Sequence, residues 1–422
     1  MSHSALDSIG VALTDARTYM DRAGYHALMA QLRREDPLHY ANAQGYRPFW
    51  VASKHADLCE IETKPDVFVS GPRLELFSME QERKITESTG GNTAVGKTLL
   101  HMDGPEHRAY RSMSQAWFMP KNLRNIERRL NDFAVEYVDK MAQIGGQTDF
   151  VSSISQLFPL NVILLILGLP PSEAPKLLRL TRNFTGREHM PIPPGMTRED
   201  MIIKGAQEIF DFFGAVYDER IRTPRDDVAS VIANAKVDGE PIKREQALSY
   251  FLLLGLAGHD TTNSTMSGGL LALIQNPAEL AKLQSNVDLI PTAVDEILRW
   301  VSPVSNFMRT ATRDYVLRGK TIRAGDSVLL PFASANRDEE VFAEPFRFAV
   351  DRKPNPQVAF GYGAHACLGQ HLAKMELRAF FRELILRLDR VELAGEPTMG
   401  AITTAYQITS LPIRYTFRRA AA

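Results

Sequence analysis

One cysteine lies in a glycine-spaced stretch near the end of the chain. Residues 360–370 read Phe-Gly-Tyr-Gly-Ala-His-Ala-Cys-Leu-Gly-Gln, and apolar residues then recur with helical spacing over 370–388. The glycines of this cysteine loop (residues 360–369) allow tight turns and a close approach to a flat group. Unpaired N–H groups at the helix start would stabilise an anionic sulfur. We expect Cys367 to ligate haem iron as a thiolate, against the alternative of a buried structural cysteine.

A long apolar segment in the middle of the chain ends abruptly in polar residues. Nearly every side chain from 250 to 257 is apolar, and Gly258, His259, Asp260 and Thr261 follow. Glycine inside a helix costs about 1 kcal/mol relative to alanine, and burying an unpaired polar group costs more. We therefore predict that the helix opens locally and that a threonine hydroxyl bonds back to a carbonyl. The acid favours a functional site over a kinked core helix, whereas His259 is expected to be packed or hydrogen-bonded.

Two further pairs of residues share helix faces but carry little information alone. Glu296 and Arg299 are three apart, a spacing common on helix surfaces and worth only about 0.2–0.5 kcal/mol. His107 and Arg111 are four apart, shortly after Pro105, which suits the first position of a helix. Without a wider context, His107 and Arg111 would count as solvated basic residues.

Helical periodicity predominates in the elements that must position these residues. Helices are predicted at 25–34, 55–62, 105–117, 123–143, 155–168, 174–184, 198–222, 225–235, 244–275, 277–284, 290–301 and 370–388. Short strands are predicted at 38–40, 49–52, 315–317, 327–331 and 413–417. These patterns predict a mainly α fold with small β-sheets at its periphery. Residues 71–97 and 185–200, rich in polar residues or in proline, are predicted as irregular segments that serve as covers or spacers.

Composition excludes several classes of protein. The formal net charge of −1 over 422 residues gives no sign of a nucleic-acid surface. The two cysteines, Cys59 and Cys367, occur in unlike contexts, so we expect no disulfide and a reducing cytoplasm. No export signal is visible at the N-terminus, and the longest apolar stretch, 157–169, is too short and too proline-broken to span a bilayer. We expect a soluble protein.

Four segments, in this order along the chain, together resemble the cytochrome P-450 superfamily of haem-thiolate monooxygenases. They are the helix with His107 and Arg111, the segment 257–262, the Glu296–Arg299 pair and the cysteine loop. The resemblance covers roughly residues 101–388. It implies one domain over 1–422, in which a β-containing N-terminal part (about 1–70) and a helical haem-binding body (about 100–390) are not independent. It also implies haem b between the long central helix and the helix of the cysteine loop.

The resemblance implies a role for each residue of these segments. Cys367 is implied as the metal ligand, Asp260 as the acid that relays protons, and Thr261 as its partner in the oxygen-binding groove. Two propionates require cationic partners. The remaining contacts with the haem are expected from His107, Arg111, Arg309, His365, Phe360, Gly361, Ala257 and Gly258.

Two further sets of residues follow from the same resemblance. Glu296 and Arg299 are expected to bind Arg352 and so to hold the cysteine loop in register. Removal of this network is expected to lower haem retention rather than to affect the chemical step. The substrate pocket is expected to be lined by residues of the segments 71–97 and 185–200 and by Leu254, Ala257, Val304 and Ser305.

Within the superfamily, the chain is most similar to bacterial terpene hydroxylases that act on small alcohols such as terpineol. The similarity is carried by residues 257–262, 307–311, 334–342 and 369–374. It implies hydroxylation of a small hydrophobic monoterpene, terpenoid or alkyl-aromatic with O2 and two electrons from an iron–sulfur ferredoxin with its reductase. A monomer that binds neither nucleic acid nor membrane is expected. The alternatives are a peroxide-driven peroxygenase and a non-catalytic haem protein that binds or senses ligands.

The ferredoxin is expected to be acidic and to dock on basic residues beside the cysteine loop. The candidate residues are Arg108, Lys121, Arg124, Lys374 and Arg378.

Overall fold

The computed structural model describes residues 7–94, 96–185, 192 and 194–418. Its helices are α1 (Ser8–Thr14), α2 (Ala16–Met20), α3 (Arg22–Glu35), α4 (His55–Glu62), α5 (Met79–Ser88), α6 (Gly104–Gln115), α7 (Pro120–Ile144), α8 (Phe158–Ile166), α9 (Ala174–Thr185), α10 (Arg198–Arg222), α11 (Val228–Ala233), α12 (Arg244–Gln275), α13 (Pro277–Ser285), α14 (Ile290–Val301), α15 (Phe332–Ala335) and α16 (Gln370–Arg387). A π-helical turn spans Val151–Ser155, and 3-10 turns span Leu99–His101, Pro171–Glu173, Val287–Leu289 and Gly363–His365.

The strands are short. They are β1 (Leu38–Ala41), β2 (Phe49–Ala52), β3 (Phe68–Val69), β4 (Gln147–Asp149), β5 (Lys236–Val237), β6 (Glu240–Pro241), β7 (Phe307–Ala311), β8 (Tyr315–Leu317), β9 (Lys320–Ile322), β10 (Ser327–Leu330), β11 (Leu388–Leu393), β12 (Thr398–Met399), β13 (Ile408–Ser410) and β14 (Pro412–Phe417). The predicted fold class, mainly α with small β-sheets, is confirmed.

The chain forms two compact units, and the first carries the larger sheet. This unit comprises the N-terminal part through His107, Pro291–Cys367 and Met399–Gln407. Its five-stranded sheet has the order β1-β2-β10-β7-β3, with β10 parallel to β2 and antiparallel to β7. Apolar side chains from the sheet and from α4, among them Leu58, Ile61 and Val328, form one buried core. The part of the cysteine loop up to Cys367 belongs to this unit.

The second unit is built around α12. It comprises Arg108–Ile290, Leu368–Thr398 and the part from Ile408 onward. α12 packs against α8, α10, α16 and the π-helical turn. A helix without a polar face must be buried on all sides, and residues 247–273 are indeed buried or half-buried, with Ala257 as the exception. A three-stranded sheet of order β11-β14-β4 completes this unit.

The predicted elements agree with the structure best where helical periodicity is long. α4, α10, α12 and α14 begin and end at the predicted residues. The prediction of an irregular segment over 71–97 is wrong, because this segment contains α5. Ser78 and Gln81 form a capping box at its start, a signal that the polar composition concealed.

Several shorter predictions also need correction. α1, α2 and β7 were not predicted, and β7 lacks the alternation of a half-buried strand because four of its five residues are buried. The helix predicted at 225–235 is confined to Val228–Ala233, and the one predicted at 155–168 is confined to Phe158–Ile166, after a π-helical turn at Val151–Ser155. The segment predicted as irregular at 185–200 falls partly outside the described residues. Within the described ranges, no helix is both long and apolar enough to cross a membrane.

Candidate active site

The cysteine loop is shaped by two glycines in left-handed conformations. Gly361 and Gly363 have φ of 71° and 65°. A Cβ at Gly363 would lie 2.1 Å from the backbone oxygen of Glu62, so this position excludes any side chain. The Cys367 N–H donates to the carbonyl of Phe360 at 2.7 Å, which closes the loop. The half-buried Cys367 is therefore presented three residues before α16 by a tightly packed turn.

Two histidines of the first unit stack beside this loop. The rings of His107 and His365 lie 4.2 Å apart, and Nε2 of His365 lies 3.5 Å from Oδ1 of Asp103 and 3.4 Å from the hydroxyl of Ser70. Asp103 also accepts hydrogen bonds from the N–H groups of Ser70 (2.8 Å) and Gly71 (3.1 Å). Burial works against the charge, but the bonds from His365 and the two N–H groups outweigh it and lower the pKa of Asp103. No pattern in the sequence pointed to Asp103.

Arg309 is buried in the first unit and faces a carboxylate. Its Nη2 lies 2.8 Å from Oε1 of Glu62, while Nη1 donates to the carbonyl of Met308 at 2.9 Å. The backbone oxygen of Glu62 is the atom that Gly363 closely approaches. Glu62 therefore links α4 to both Arg309 and the cysteine loop, a role that an isolated acid at the end of a predicted helix did not reveal.

The structure brings together Glu296, Arg299 and Arg352. Arg299 donates to both oxygens of Glu296 at 2.7 Å, and Nε of Arg352 lies 3.1 Å from each of them. Arg299 also donates to the carbonyls of Asn336 and Pro345 at 2.9 Å. Glu296 and Arg299 are fully buried, so this bidentate network fixes the backbone before the cysteine loop from two directions.

The polar segment of α12 keeps its helical hydrogen bonds. The predicted local opening is wrong, because α12 runs without interruption from Arg244 to Gln275. The predicted back-bond is confirmed: the hydroxyl of Thr261 donates to the carbonyl of Ala257 at 2.7 Å. A Cβ at Gly258 would lie 2.3 Å from Cδ1 of Ile163, so the glycine here serves the close packing of α8 rather than a break.

His259 and Asp260 lie beside this back-bond. As expected, His259 is buried, 2% exposed, and hydrogen-bonded, with Nε2 2.8 Å from the carbonyl oxygen of Gln156. Its Nδ1 lies 3.5 Å from Oδ1 of Asp260, whose side chain is 27% exposed. Asp260 is therefore the more accessible partner of a close pair.

A second buried acid faces the same helix. Glu376, on α16, accepts a hydrogen bond from the hydroxyl of Thr262 at 3.1 Å and is buried. Burial raises the pKa of Glu376 well above its ordinary value, and the bond from Thr262 only partly offsets this. Burial therefore favours the neutral form of this carboxyl group. The regular apolar periodicity of α16 did not reveal Glu376 as a functional candidate.

The remaining predicted residues are divided between the units. Half-buried Arg111 and buried Leu254 belong to the second unit. Val304 and Ser305 belong to the first, where Val304 forms a bridge with Ala405 and the Ser305 N–H donates to the carbonyl of Thr404 at 2.8 Å.

A separate groove of about 520 Å³ lies between α9 and α10 in the second unit. Its lining includes Leu169, Leu180, Phe212 and Val216, and none of the predicted site residues lines it.

The residues in each unit fit a haem. The cysteine loop offers the half-buried thiol of Cys367 in a turn that a Cβ at Gly363 would block. His107 and His365 stack beside this turn. α12 offers Ala257, the exposed residue within the fully described stretch 247–273, next to a glycine. A flat macrocycle with two carboxylates needs such small and hydrogen-bonding contacts.

Comparisons with known proteins identify the family. The cytochrome P-450 family model matches residues 285–399. Cytochrome P-450-terp of Pseudomonas sp is 38% identical over 406 residues, 94% of this chain and 95% of that protein. Linalool 8-monooxygenase of Pseudomonas putida is 31% identical, over 88% of this chain and 90% of that protein.

Solved structures agree with these relatives. The crystal structure of a bacterial cytochrome P-450 from Novosphingobium aromaticivorans matches with a TM-score of 0.90 and 35% identity, over 97% of this chain and 98% of that one. A Mycobacterium marinum cytochrome P-450 in complex with pseudoionone matches with a TM-score of 0.87 and 29% identity, over 98% of this chain and 100% of that one. This chain belongs to the cytochrome P-450 family and is a monooxygenase that binds haem b.

Proposed function

We propose that this monooxygenase hydroxylates a small hydrophobic terpenoid or alkyl-aromatic, with Cys367 as the ligand of its haem iron and a ferredoxin as electron donor. The observation that carries the assignment of Cys367 is its loop, in which two left-handed glycines and the bond from the Cys367 N–H to Phe360 present the sulfur at a helix start. A thiolate is favoured there by nearby N–H groups.

Haem b, when bound, supplies the activation of O2 and the one-electron chemistry. The chain's part is to hold it and to control protons. In our proposal, His107, Arg111, Arg309 and His365 bind the propionates, and Phe360, Gly361, Ala257 and Gly258 contact the ring. Glu296, Arg299 and Arg352 hold the cysteine loop rather than touching the cofactor.

Asp260 and Thr261 handle protons in this proposal. The Thr261 hydroxyl donates its hydrogen to Ala257, so the lone pairs of Oγ1 remain to accept a hydrogen bond from a protonated group in front of it. Asp260 is partly exposed and adjacent in sequence, so it can exchange protons with water and pass them inward. A passive ligand-binding haem protein gains nothing from this pair, which disfavours that alternative.

The substrate class rests on the relatives. One relative is named for a terpenoid, linalool, and the Mycobacterium marinum structure is a complex with pseudoionone. Leu254, Ala257, Val304 and Ser305 are the proposed lining residues and are mostly apolar, as is usual for pockets of such ligands.

The ferredoxin is proposed to dock on basic residues of the second unit. Arg108, Lys121 and Arg124 are exposed, whereas Lys374 and Arg378 are half-buried. Charge reversal at Lys121 and Arg124 should slow electron transfer and weaken its dependence on salt, because exposed charges steer association.

The iron ligand is tested by the visible spectrum of the dithionite-reduced protein under carbon monoxide. The far-red-shifted Soret band typical of a thiolate ligand should appear and should be lost in Cys367→His. A band at the position typical of an imidazole ligand in the unmutated protein would contradict the assignment.

The substrate class is tested separately by titration with terpineol, linalool, alkylbenzenes and fused aromatics. Terpenoids or alkylbenzenes should produce the low-to-high-spin shift that follows loss of an iron-bound water. Product formation that needs only hydrogen peroxide, and that is unchanged by Thr261→Ala, would favour the peroxygenase alternative.

A further inference from the structure

We propose that Glu62 is a positioning residue for the haem: it holds the guanidinium of Arg309 in place for a propionate, offsets its charge, and so lowers the reduction potential of the iron. This inference rests on the role proposed above for Arg309 and adds a residue to it. Glu62, Arg309 and the cysteine loop up to Cys367 all belong to the first unit.

Arg309 lies in the interior of a sheet, where a charged side chain needs a partner. It belongs to β7, which runs between β10 and β3, and it is 3% exposed. Burying an ion costs several kcal/mol, and a good ion pair repays that cost. Oε1 and Oε2 of Glu62 lie 2.8 and 3.1 Å from Nη2 of Arg309, and the side chain of Glu62 is 2% exposed. The two side chains are therefore buried as a pair.

The guanidinium of Arg309 keeps donors for a further acceptor. It carries five N–H groups. Its hydrogen bonds to the described residues go to Oε2 of Glu62 and, at 2.9 Å, to the carbonyl of Met308. The N–H groups that remain suit a carboxylate, which can accept two hydrogen bonds from one guanidinium. A purely structural role does not account for these donors, because a buried ion pair can often be replaced by apolar residues without loss of stability.

Glu62 contacts the cysteine loop through its backbone. It is the last residue of α4, which packs against the 3-10 turn at Gly363–His365. Its carbonyl oxygen is the atom that a Cβ at Gly363 would meet at 2.1 Å. The carboxyl group of Glu62 thus faces Arg309 while its carbonyl group touches the loop. One residue therefore couples the position of Arg309 to that of the loop that presents Cys367.

The direction of the charge effect follows from electrostatics. Arg309 alone would neutralise one bound propionate, but in the ion pair with Glu62 one negative charge remains uncompensated. Negative charge at the haem favours ferric over ferrous iron, because ferric iron carries one more positive charge. Glu62 therefore lowers the reduction potential.

Two substitutions separate position from charge. Glu62→Gln keeps an acceptor for Arg309 and removes the negative charge, whereas Glu62→Ala removes both. The matched control is Asp57→Asn on the same helix. Asp57 is also buried and accepts a hydrogen bond from an arginine, but its partner is Arg318 at 2.6 Å. Asp57→Asn therefore removes a buried acid of α4 without changing the pair with Arg309.

The charge effect is measured as the reduction potential of the holoenzyme by spectroelectrochemistry, without turnover. Glu62→Gln and Glu62→Ala should both shift the equilibrium several-fold toward ferrous iron and so raise the potential. Asp57→Asn should leave the potential unchanged, although it lowers the free energy of unfolding. A potential in Glu62→Gln equal to that of the unmutated protein would overturn the proposal, and this variant decides even if Glu62→Ala does not fold.

The positioning effect is measured as the rate of haem loss to excess apomyoglobin. Glu62→Ala should lose haem several-fold faster, whereas Glu62→Gln should change the rate little because glutamine still accepts from Arg309. Arg309→Gln should also lose haem faster, and Glu62→Ala should then add nothing, because the two residues act as one unit. Additive effects of the two substitutions would overturn the proposal.

The same variants distinguish failure of this inference from failure of the proposed role of Arg309. If Arg309→Gln changes neither haem loss nor the potential, the proposed contact between Arg309 and a propionate is wrong, and the inference falls with it. If Arg309→Gln changes both while neither Glu62 variant does, Arg309 keeps its role and the inference about Glu62 alone is rejected.

Discussion

The cysteine loop and the polar segment of α12 differ in how the surrounding chain constrains their side chains. In the loop, positive-φ glycines and a closing backbone bond remove freedom from the chain around Cys367, and the buried Glu296–Arg299 pair of α14 holds the segment before it. In α12, the hydroxyl of Thr261 and the side chains of His259 and Asp260 bond to neighbouring backbone or to each other, while the helix remains regular. In our proposal, the first region holds the sulfur of Cys367 in place and the second handles protons.

The two buried acids sharpen this contrast. Glu296 is fully buried, and both Arg299 and Arg352 bond to its carboxyl oxygens. Glu376 is equally buried but has a hydroxyl, Thr262, as its partner, and burial raises its pKa well above the ordinary value. The two buried acids therefore differ in their partners: Glu296 bonds to arginines in the network that precedes the cysteine loop, whereas Glu376 bonds to a hydroxyl of α12.

The largest effect is expected from Glu296→Gln. Removing the charge leaves Arg299 buried without its carboxylate, and breaking a buried ion pair costs about 3–5 kcal/mol. The free energy of unfolding measured in urea and the haem content after gel filtration should both fall sharply. Glu344→Gln, which affects an exposed pair with Arg347, is the control and should change the free energy of unfolding little. Full haem retention in Glu296→Gln would mean that this network does not support the cysteine loop.

Gly363→Ala should be the next most damaging change. A non-glycine residue at φ of 65° costs about 1–2 kcal/mol, and the new Cβ would also collide with the backbone oxygen of Glu62 at 2.1 Å. We expect reduced haem content and an altered carbon monoxide spectrum. Gly369→Ala is the matched control, because a Cβ there meets nothing within 4 Å. Equal behaviour of the two variants would show that the loop is less constrained than its packing indicates.

The α12 side of the comparison is tested by Glu376→Gln. An acid whose pKa is raised on folding contributes stability below its unfolded-state pKa, and this contribution is lost as pH rises through the folded-state value. The variant cannot titrate, so above about pH 4.3 the unmutated protein should lose up to about 1.4 kcal/mol per pH unit relative to it. Thermal unfolding from pH 4 to 8 measures this difference.

Glu383→Gln, in a partly exposed pair with Arg387 on the same helix, is the control for Glu376→Gln. A pH-independent difference between Glu376→Gln and the unmutated protein would mean that Glu376 is ionised in the folded state, and the contrast with Glu296 would fail.

The sequence predicted these two regions unequally. The glycine spacing around Cys367 and the long apolar run before Asp260 are local patterns, so the loop, α12 and the Thr261 back-bond could be predicted. Glu62, Asp103 and Glu376 could not, because each acts through a partner distant in sequence: Arg309, His365 and Thr262. The expected opening of α12 was wrong for a related reason. The glycine at 258 packs closely against Ile163 of α8, and no local pattern reports a contact between helices.

The smallest effect is expected from Asp103→Asn, at the edge of the cysteine loop. Asp103 accepts hydrogen bonds from the N–H groups of Ser70 and Gly71 and faces His365, and together these outweigh burial and lower its pKa. An asparagine retains one acceptor, so we expect a loss of about 1 kcal/mol in urea unfolding at pH 7. An acid with a lowered pKa contributes stability above its unfolded-state value, and this is lost as pH falls through the folded-state value. The difference between the unmutated protein and Asp103→Asn should therefore shrink below about pH 3.9.

Asp66→Asn, in an exposed pair with Arg313, should show no comparable loss at pH 7. A difference for Asp103→Asn that persists unchanged at low pH would show that its shape rather than its charge matters, and that the loop is held by packing alone.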